Sequence, residues 1–187
     1  MRLGIDPGIT GAIALISGNA VLNCWDMPTY SYTVKAKVKD KATKRMVTKE
    51  RERREVDGYK LHQILFGIKN DTVKTGLEVV VEMQQHNIGA TRKGPGGEEE
   101  FRPDSPMTAF MIGKNYGKLL AILEVVFSAG NFTIVSPAGW KSRAGLQRKQ
   151  KKDALTYCVE NFDTQNFISR QKDIGRAEAI LIAKYGL

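Results

Sequence analysis

Between Leu77 and Glu82 the chain reads Leu-Glu-Val-Val-Val-Glu. Three consecutive β-branched residues without alternation suit a strand covered on both faces. Such a strand needs a helical layer on each side, and the sequence supplies helices. Asp57 is a good N-cap for a helix carrying Tyr59, Leu61, Ile64, Leu65 and Ile68 at helical spacing. Thr108 to Phe127 predicts a long helix, with Gly113 and Gly117 placed for close backbone packing. Lys152 to Asn161 and Arg176 to Tyr185 predict two more. Leu3 to Asp6, Ala12 to Ile16 and Val21 to Trp25 predict three meandering antiparallel strands. Tyr30 to Val38 alternates partly and prolongs the third of them into a basic hairpin with Met46-Val47. A further strand, Phe132 to Val135, is ended by Ser136-Pro137. Gln84 to Pro106 is polar, rich in Gly and Pro, and too long for an ordinary connection, so it is expected to be a mobile functional loop. The order predicts an α/β fold with a mixed five-stranded sheet, three antiparallel strands first, flanked by helices. At roughly 100–200 residues per domain, 187 residues predict one domain, 1–187, with a basic insertion at about 31–56 and the loop at about 84–106.

Apolar residues make up 42% of the chain, enough for a core. No stretch approaches the roughly 18 apolar residues of a membrane span: the best, Leu119 to Phe127, is broken by Glu124. Asp6, Gly8 and Gly11 interrupt what would be the apolar part of a secretory signal behind Arg2. Cys24 and Cys158 are too few for a disulfide scaffold and lack metal-ligand spacing. A cytoplasmic protein is expected. Its 29 Lys and Arg against 20 Asp and Glu give a net +9, which points to a polyanionic partner. One basic cluster, Lys35 to Arg54, includes Lys41 and Lys44 and is diluted by Asp40, Glu50, Glu52 and Glu55. Lys141, Arg143, Arg148, Lys149, Lys151 and Lys152 form a second without acids, next to Trp140, and are the stronger candidates for nucleic-acid contact. Neither cluster has the apolar stripe that anchors a chain to a membrane surface.

Four acids stand where apolar elements end or face the sheet: Asp6 after the first strand, Glu82 closing the Val79–Val81 strand, Asp173 before the last helix, and Glu178 within it. Acids in such places are paired or hold a metal. Carboxylates suit magnesium, and two ions roughly 3.5–4 Å apart can clamp the attacking and leaving oxygens of a phosphodiester. Each acid also has a plainer role open to it. Asp6 can orient the Asp-Pro-Gly turn, Glu82 can pair with Arg176, Asp173 can be an N-cap, and Glu178 can be an exposed helix acid.

Gly4-Ile5-Asp6-Pro7-Gly8 with Thr10-Gly11, Val79-Val80-Val81-Glu82, Pro137-Ala138-Gly139-Trp140-Lys141 and Gly175-Arg176-Ala177-Glu178-Ala179-Ile180-Leu181-Ile182-Ala183 follow one another over nearly the whole chain. In this the sequence resembles the RuvC family of Holliday-junction resolvases, in particular its phage-type members. The resemblance implies an RNase H-like fold, a homodimer, and cutting of Holliday junctions and other branched DNA with two Mg2+ or Mn2+ ions, in a bacterial or phage-infected cell. It implies that Asp6, Glu82, Asp173 and Glu178 are catalytic metal ligands. Asp6 would bridge both ions, with Glu82 on one and Glu178 with Asp173 on the other. The lysines and arginines from Lys141 to Lys152 would hold phosphates, and Trp140 would stack on a base or sit in the core. His86 could assist proton transfer, although a lone histidine more often has an ordinary polar role. The chain departs from the family in two places. Gly175 and Ile174 stand where an Asp or His usually precedes the last acid, and Met83 to His86 offer no aromatic wedge. The insertion from Lys35 to Arg54 exceeds the family core. Two other classes share features with the chain: a non-catalytic branched-DNA-binding module, and an actin-like or sugar-kinase phosphotransferase, which also begins Gly-x-Asp-x-Gly-x-Thr but needs a second lobe.

Overall fold

The structure, a computed structural model, describes residues 1–40, 42–43, 45–85, 91–93, 99–101 and 105–187. Its main sheet has five strands in the order β3-β2-β1-β6-β9: β1 (Arg2–Ile5), β2 (Ala12–Ser17), β3 (Ala20–Asp26), β6 (Glu78–Glu82) and β9 (Thr133–Val135). β1, β2 and β3 run antiparallel in sequence, whereas β6 lies parallel to β1 and β9 parallel to β6. This is the expected mixed five-stranded sheet, with three antiparallel strands first.

The valine run behaves as its composition dictates. Val79 and Val81 point into a layer with Leu61 and Leu65 of α1 (Gly58–Thr72) and Leu119 and Leu123 of α2 (Pro106–Phe127). Val80 points the other way, into a layer with Ala179 to Ala183 of α5 (Ile174–Tyr185), Cys158 of α4 (Lys151–Asn161) and Trp140. The four leucines are fully buried, each stabilising the fold by about 1.5–3 kcal/mol. Asp57 caps α1 by accepting from the Lys60 N–H at 3.1 Å. On the other face α5 lies directly on β1. A Cβ at Gly4 would stand 2.1 Å from the Ala179 carbonyl oxygen and 2.4 Å from the Ala183 nitrogen, so no larger residue fits there without moving the helix.

Several local expectations are corrected. Gly113 and Gly117 do not serve close packing among the described residues, where a Cβ at either meets nothing within 4 Å. Ser136-Pro137 ends β9 but also starts a helix, α3 (Pro137–Arg143), with Ser136 as N-cap and Pro137 in the first turn. Proline fits there because its missing N–H has no intrahelical partner to lose. The basic segment does not prolong β3. Pro28, which has no N–H for a ladder, separates β3 from β4 (Thr29–Lys39), and β4 pairs with β5 (Met46–Val56) as a two-stranded sheet of its own. Lys41, Lys44, His86 and most of the 84–106 loop lie outside the described residues. Within that loop β7 (Thr91–Lys93) and β8 (Glu99–Phe101) pair antiparallel. Among the described residues no helix is long and apolar enough to cross a membrane.

Candidate active site

The parallel register pairs Ile5 with Val81, so the next residues, Asp6 and Glu82, leave the sheet side by side at the ends of β1 and β6. Glu178 reaches the same end from α5. The first turn of that helix is brought in by Gly175, where a Cβ would stand 2.4 Å from the Thr10 carbonyl oxygen and 3.1 Å from the Gly11 Cα. Asp6, Thr10 and Glu178 line one cleft of about 180 Å3.

The charge in this cleft is only partly compensated. Burial pushes the Asp6 carboxyl up to about 6, and the Glu178 charge adds to the shift, against a hydrogen bond from the Gly8 N–H and the pull of Lys151 and Lys141. Burial likewise pushes Glu82 up to about 7, with Asp6 and Glu178 adding, against the Trp140 hydrogen bond and Lys141. Glu178 is 8% exposed, and the Lys141 ammonium stands 3.5 Å from its Oε1. Lys141 therefore faces all three acids.

The plainer roles can be checked one by one. Asp6 does orient its turn, accepting from the Gly8 N–H at 3.2 Å. Glu82 is not paired with Arg176, which binds Asp26 through two hydrogen bonds of 2.6 and 2.9 Å. Glu178 is buried, not exposed. Asp173 stands apart from the other three. Its Oδ2 accepts from the Ser169 and Arg170 N–H groups at 3.1 and 3.0 Å, and its Oδ1 accepts from the Arg170 guanidinium at 2.9 and 2.6 Å. These bonds outweigh burial and hold its carboxyl at about 2. Both oxygens close the loop ahead of α5, and Asp173 makes no side-chain cap bond to that helix.

The basic candidates divide. Trp140 is fully buried, so its ring is not offered to a base. Instead its indole N–H donates to Glu82 Oε2 at 2.6 Å, with the Lys141 ammonium 5.1 Å from the ring centre. Lys141, Lys149 and Lys151 share a narrow cleft with Glu178, and Lys151 also lines the cleft of Asp6. Arg148 and Lys152 are exposed. Arg143 donates to the Tyr185 and Gly186 carbonyl oxygens at 2.5 and 2.9 Å, which ties α3 to the end of α5. Lys172, passed over in the sequence, lines the cleft of Asp6 and Glu178. Its position one residue ahead of Asp173 and α5 is the signal that could have found it.

Hard carboxylate oxygens with unrelieved mutual repulsion are a donor set for magnesium or manganese. Among the described residues, however, no three Asp, Glu, His or Cys side chains stand at coordinating distance of one point. Asp6 and Glu178 share a cleft, with Glu82 at the neighbouring strand end, and the described acids form no closed ligand shell.

No family model matches the chain, and no curated protein does. Two solved structures are similar to it over 99% of its length. One is a Thermus thermophilus RuvC structure, at 15% identity and a TM-score of 0.45, with 94% of that chain covered. The other is Thermus thermophilus RuvC in complex with a Holliday junction substrate, at 15% identity and a TM-score of 0.49, with 93% covered.

Proposed function

We propose that the chain is a divalent-metal-dependent endonuclease that hydrolyses phosphodiester bonds in branched DNA, Holliday junctions among them. The observation that carries this is the convergence of Asp6, Glu82 and Glu178 at one sheet end, two of them raised to about 6 and about 7, beside Lys141 and Lys151. Asp6, Glu82 and Glu178 would hold Mg2+ or Mn2+, while Asp173 keeps the loop before α5 in place. The bound metal would neutralise phosphate charge and activate water. Trp140 fixes the orientation of Glu82. Lys141, Lys149 and Lys151 would hold phosphates without reading sequence. A homodimer would set two such sites across a junction.

The test is cleavage of labelled four-way junction, fork, flap and linear duplex with magnesium, manganese or EDTA, beside Asp6→Asn. Paired symmetric nicks in the junction, absent in EDTA and in the variant, are expected. Equal cutting of forks and flaps would make it a general debranching nuclease. The open arrangement of the acids favours one rival, a branched-DNA-binding module without cleavage. Tight binding with no cutting under either metal would establish that rival instead.

A further inference from the structure

The β4–β5 hairpin has no part in the site so far. Its strands pair along all eleven residues of each, yet no described residue from 31 to 54 is buried. A lone two-stranded ribbon is marginal in water, and this one is fastened at its base. Glu55 is 2% exposed and accepts from Tyr30, Tyr32 and Lys114 at 3.2, 2.5 and 2.7 Å. The Val56 N–H donates to Asn115 Oδ1 of α2 at 3.0 Å. Beyond that clamp the described residues of the ribbon are exposed or half-buried.

Its charge is extreme. Residues 29–56 hold ten Lys and Arg against four Asp and Glu, a net +6 of the chain's +9. Register then sorts the charges, because directly paired residues share a face and successive pairs alternate. Tyr32↔Arg53, Val34↔Arg51 and Ala36↔Lys49 put three cations and an aromatic on one face, whose acid, Glu55 opposite Tyr30, is already taken up at the base by Lys114. Thr33↔Glu52 and Lys35↔Glu50 put Glu50 and Glu52 on the other, among Lys35, Lys37 and Arg54. Charged edges also disfavour pairing with another strand, which argues against a second copy of the chain or an extended peptide as partner. At about 3.4 Å per residue the ribbon spans roughly 35 Å, near one turn of duplex DNA, whose major groove admits a two-stranded ribbon.

The ribbon is also continuous with the acids. Arg53, at the base of that face, lines a cleft of about 310 Å3 with Pro7, Ile9 and Gln84, and Pro7 and Gln84 lie one and two residues beyond Asp6 and Glu82.

We propose that the β4–β5 hairpin is a second nucleic-acid contact, whose Lys49–Arg51–Arg53 face lies along a duplex DNA arm leading into the acids' cleft. This rests on the reading that the cleft takes DNA. The test is equilibrium binding of a labelled four-way junction to the full chain in EDTA across a salt series. The triple variant Lys49→Gln, Arg51→Gln, Arg53→Gln is expected to bind on the order of tenfold more weakly. Its slope of log K against log salt should shrink by about 2–3, at roughly 0.9 per lost phosphate contact. Arg51→Lys with Arg53→Lys, which keeps the charges, should retain the slope, and circular dichroism should show both variants folded. An unchanged slope in a folded triple variant overturns the proposal. So does an equal loss of binding to polyglutamate, which carries charge without duplex geometry. Nicking with magnesium separates the two readings. A chain that nicks normally when the triple variant binds like the parent refutes the ribbon alone. A chain that never nicks, but whose slope responds, refutes the nuclease alone.

Discussion

The indole N–H of Trp140 donates to Glu82 Oε2 at 2.6 Å, linking α3 to the end of β6. Partners that orient a metal ligand are worth about 10–100-fold in metal affinity or activity. Trp140→Phe removes the donor together with part of the buried indole. It should lower nicking within that range and raise the magnesium concentration needed for half-maximal rate, alongside a fall in Tm of a few degrees from the space the indole leaves. A magnesium titration of junction cleavage reads this directly, and an unaltered titration curve would deny Trp140 any role at the site.

Asp6→Asn, Glu82→Gln and Glu178→Gln each remove one carboxylate without removing volume. Each should abolish metal-dependent cutting while preserving junction affinity in EDTA, measured by fluorescence anisotropy. Any of the three that cuts at the parent rate is not a ligand.

Asp173 is expected to behave differently. Asp173→Asn should cut within about threefold of the parent at moderate temperature, because its oxygens serve Ser169 and Arg170. Weakening those charge-assisted bonds should cost about 2 kcal/mol, a fall of roughly 4–8 °C in Tm. A hundredfold loss of cutting at unchanged Tm would make Asp173 a metal ligand after all.

The shifted carboxyls set opposing limbs of a pH profile. Asp6 and Glu82 sit at about 6 and about 7 against ordinary values of 3.8 and 4.5. The folded chain therefore keeps protons that the unfolded chain has released, and this contribution to stability is lost as pH rises through 6 and 7. Glu55 and Asp173, held at about 2 by Lys114 and its tyrosines and by Arg170, contribute stability above their ordinary values that is lost as pH falls toward 2. In EDTA, Tm should peak in mildly acidic buffer, and Glu82→Gln should flatten the alkaline limb. Parallel curves for the two proteins from pH 5 to 8 would show that Glu82 carries no such strain.

Glu55→Gln should leave the main sheet intact and loosen the ribbon, since the buried acceptor joins Tyr30 and Tyr32 to Lys114 of α2. Hydrogen exchange should accelerate selectively in β4 and β5. Uniform acceleration, or none, would show that the anchorage lies elsewhere.

The layered fold was legible because its signals are local. Val79 to Val81 declared a strand covered on both faces, Asp57 announced a helix start, and three apolar runs gave the meander. Asp6, Glu82 and Glu178 were legible for the same reason, since each is an acid in an apolar setting. Asp173 looked equivalent in sequence, yet its fate depends on Arg170 and two backbone N–H groups that only the folded loop brings together. Trp140 likewise gives no hint in sequence that its indole N–H meets an acid 58 positions earlier. The open surroundings of Gly113 and Gly117 depend on where α2 comes to lie, and spacing along the chain carries none of that.

Two missing methyls set the gauge of the acids' cleft. At Gly4 the main chain of β1 touches that of α5, and at Gly175 the same helix touches the loop from Asp6 to Gly11. The separation between Asp6 and Glu178 is thus indexed to contacts between backbones, which side-chain drift elsewhere in the core cannot retune. Much of the apolar interior should be free to diverge in identity while the spacing of the acids holds, and a single alanine at position 4 or 175 should disturb the chemistry more than several substitutions beneath α1 and α2.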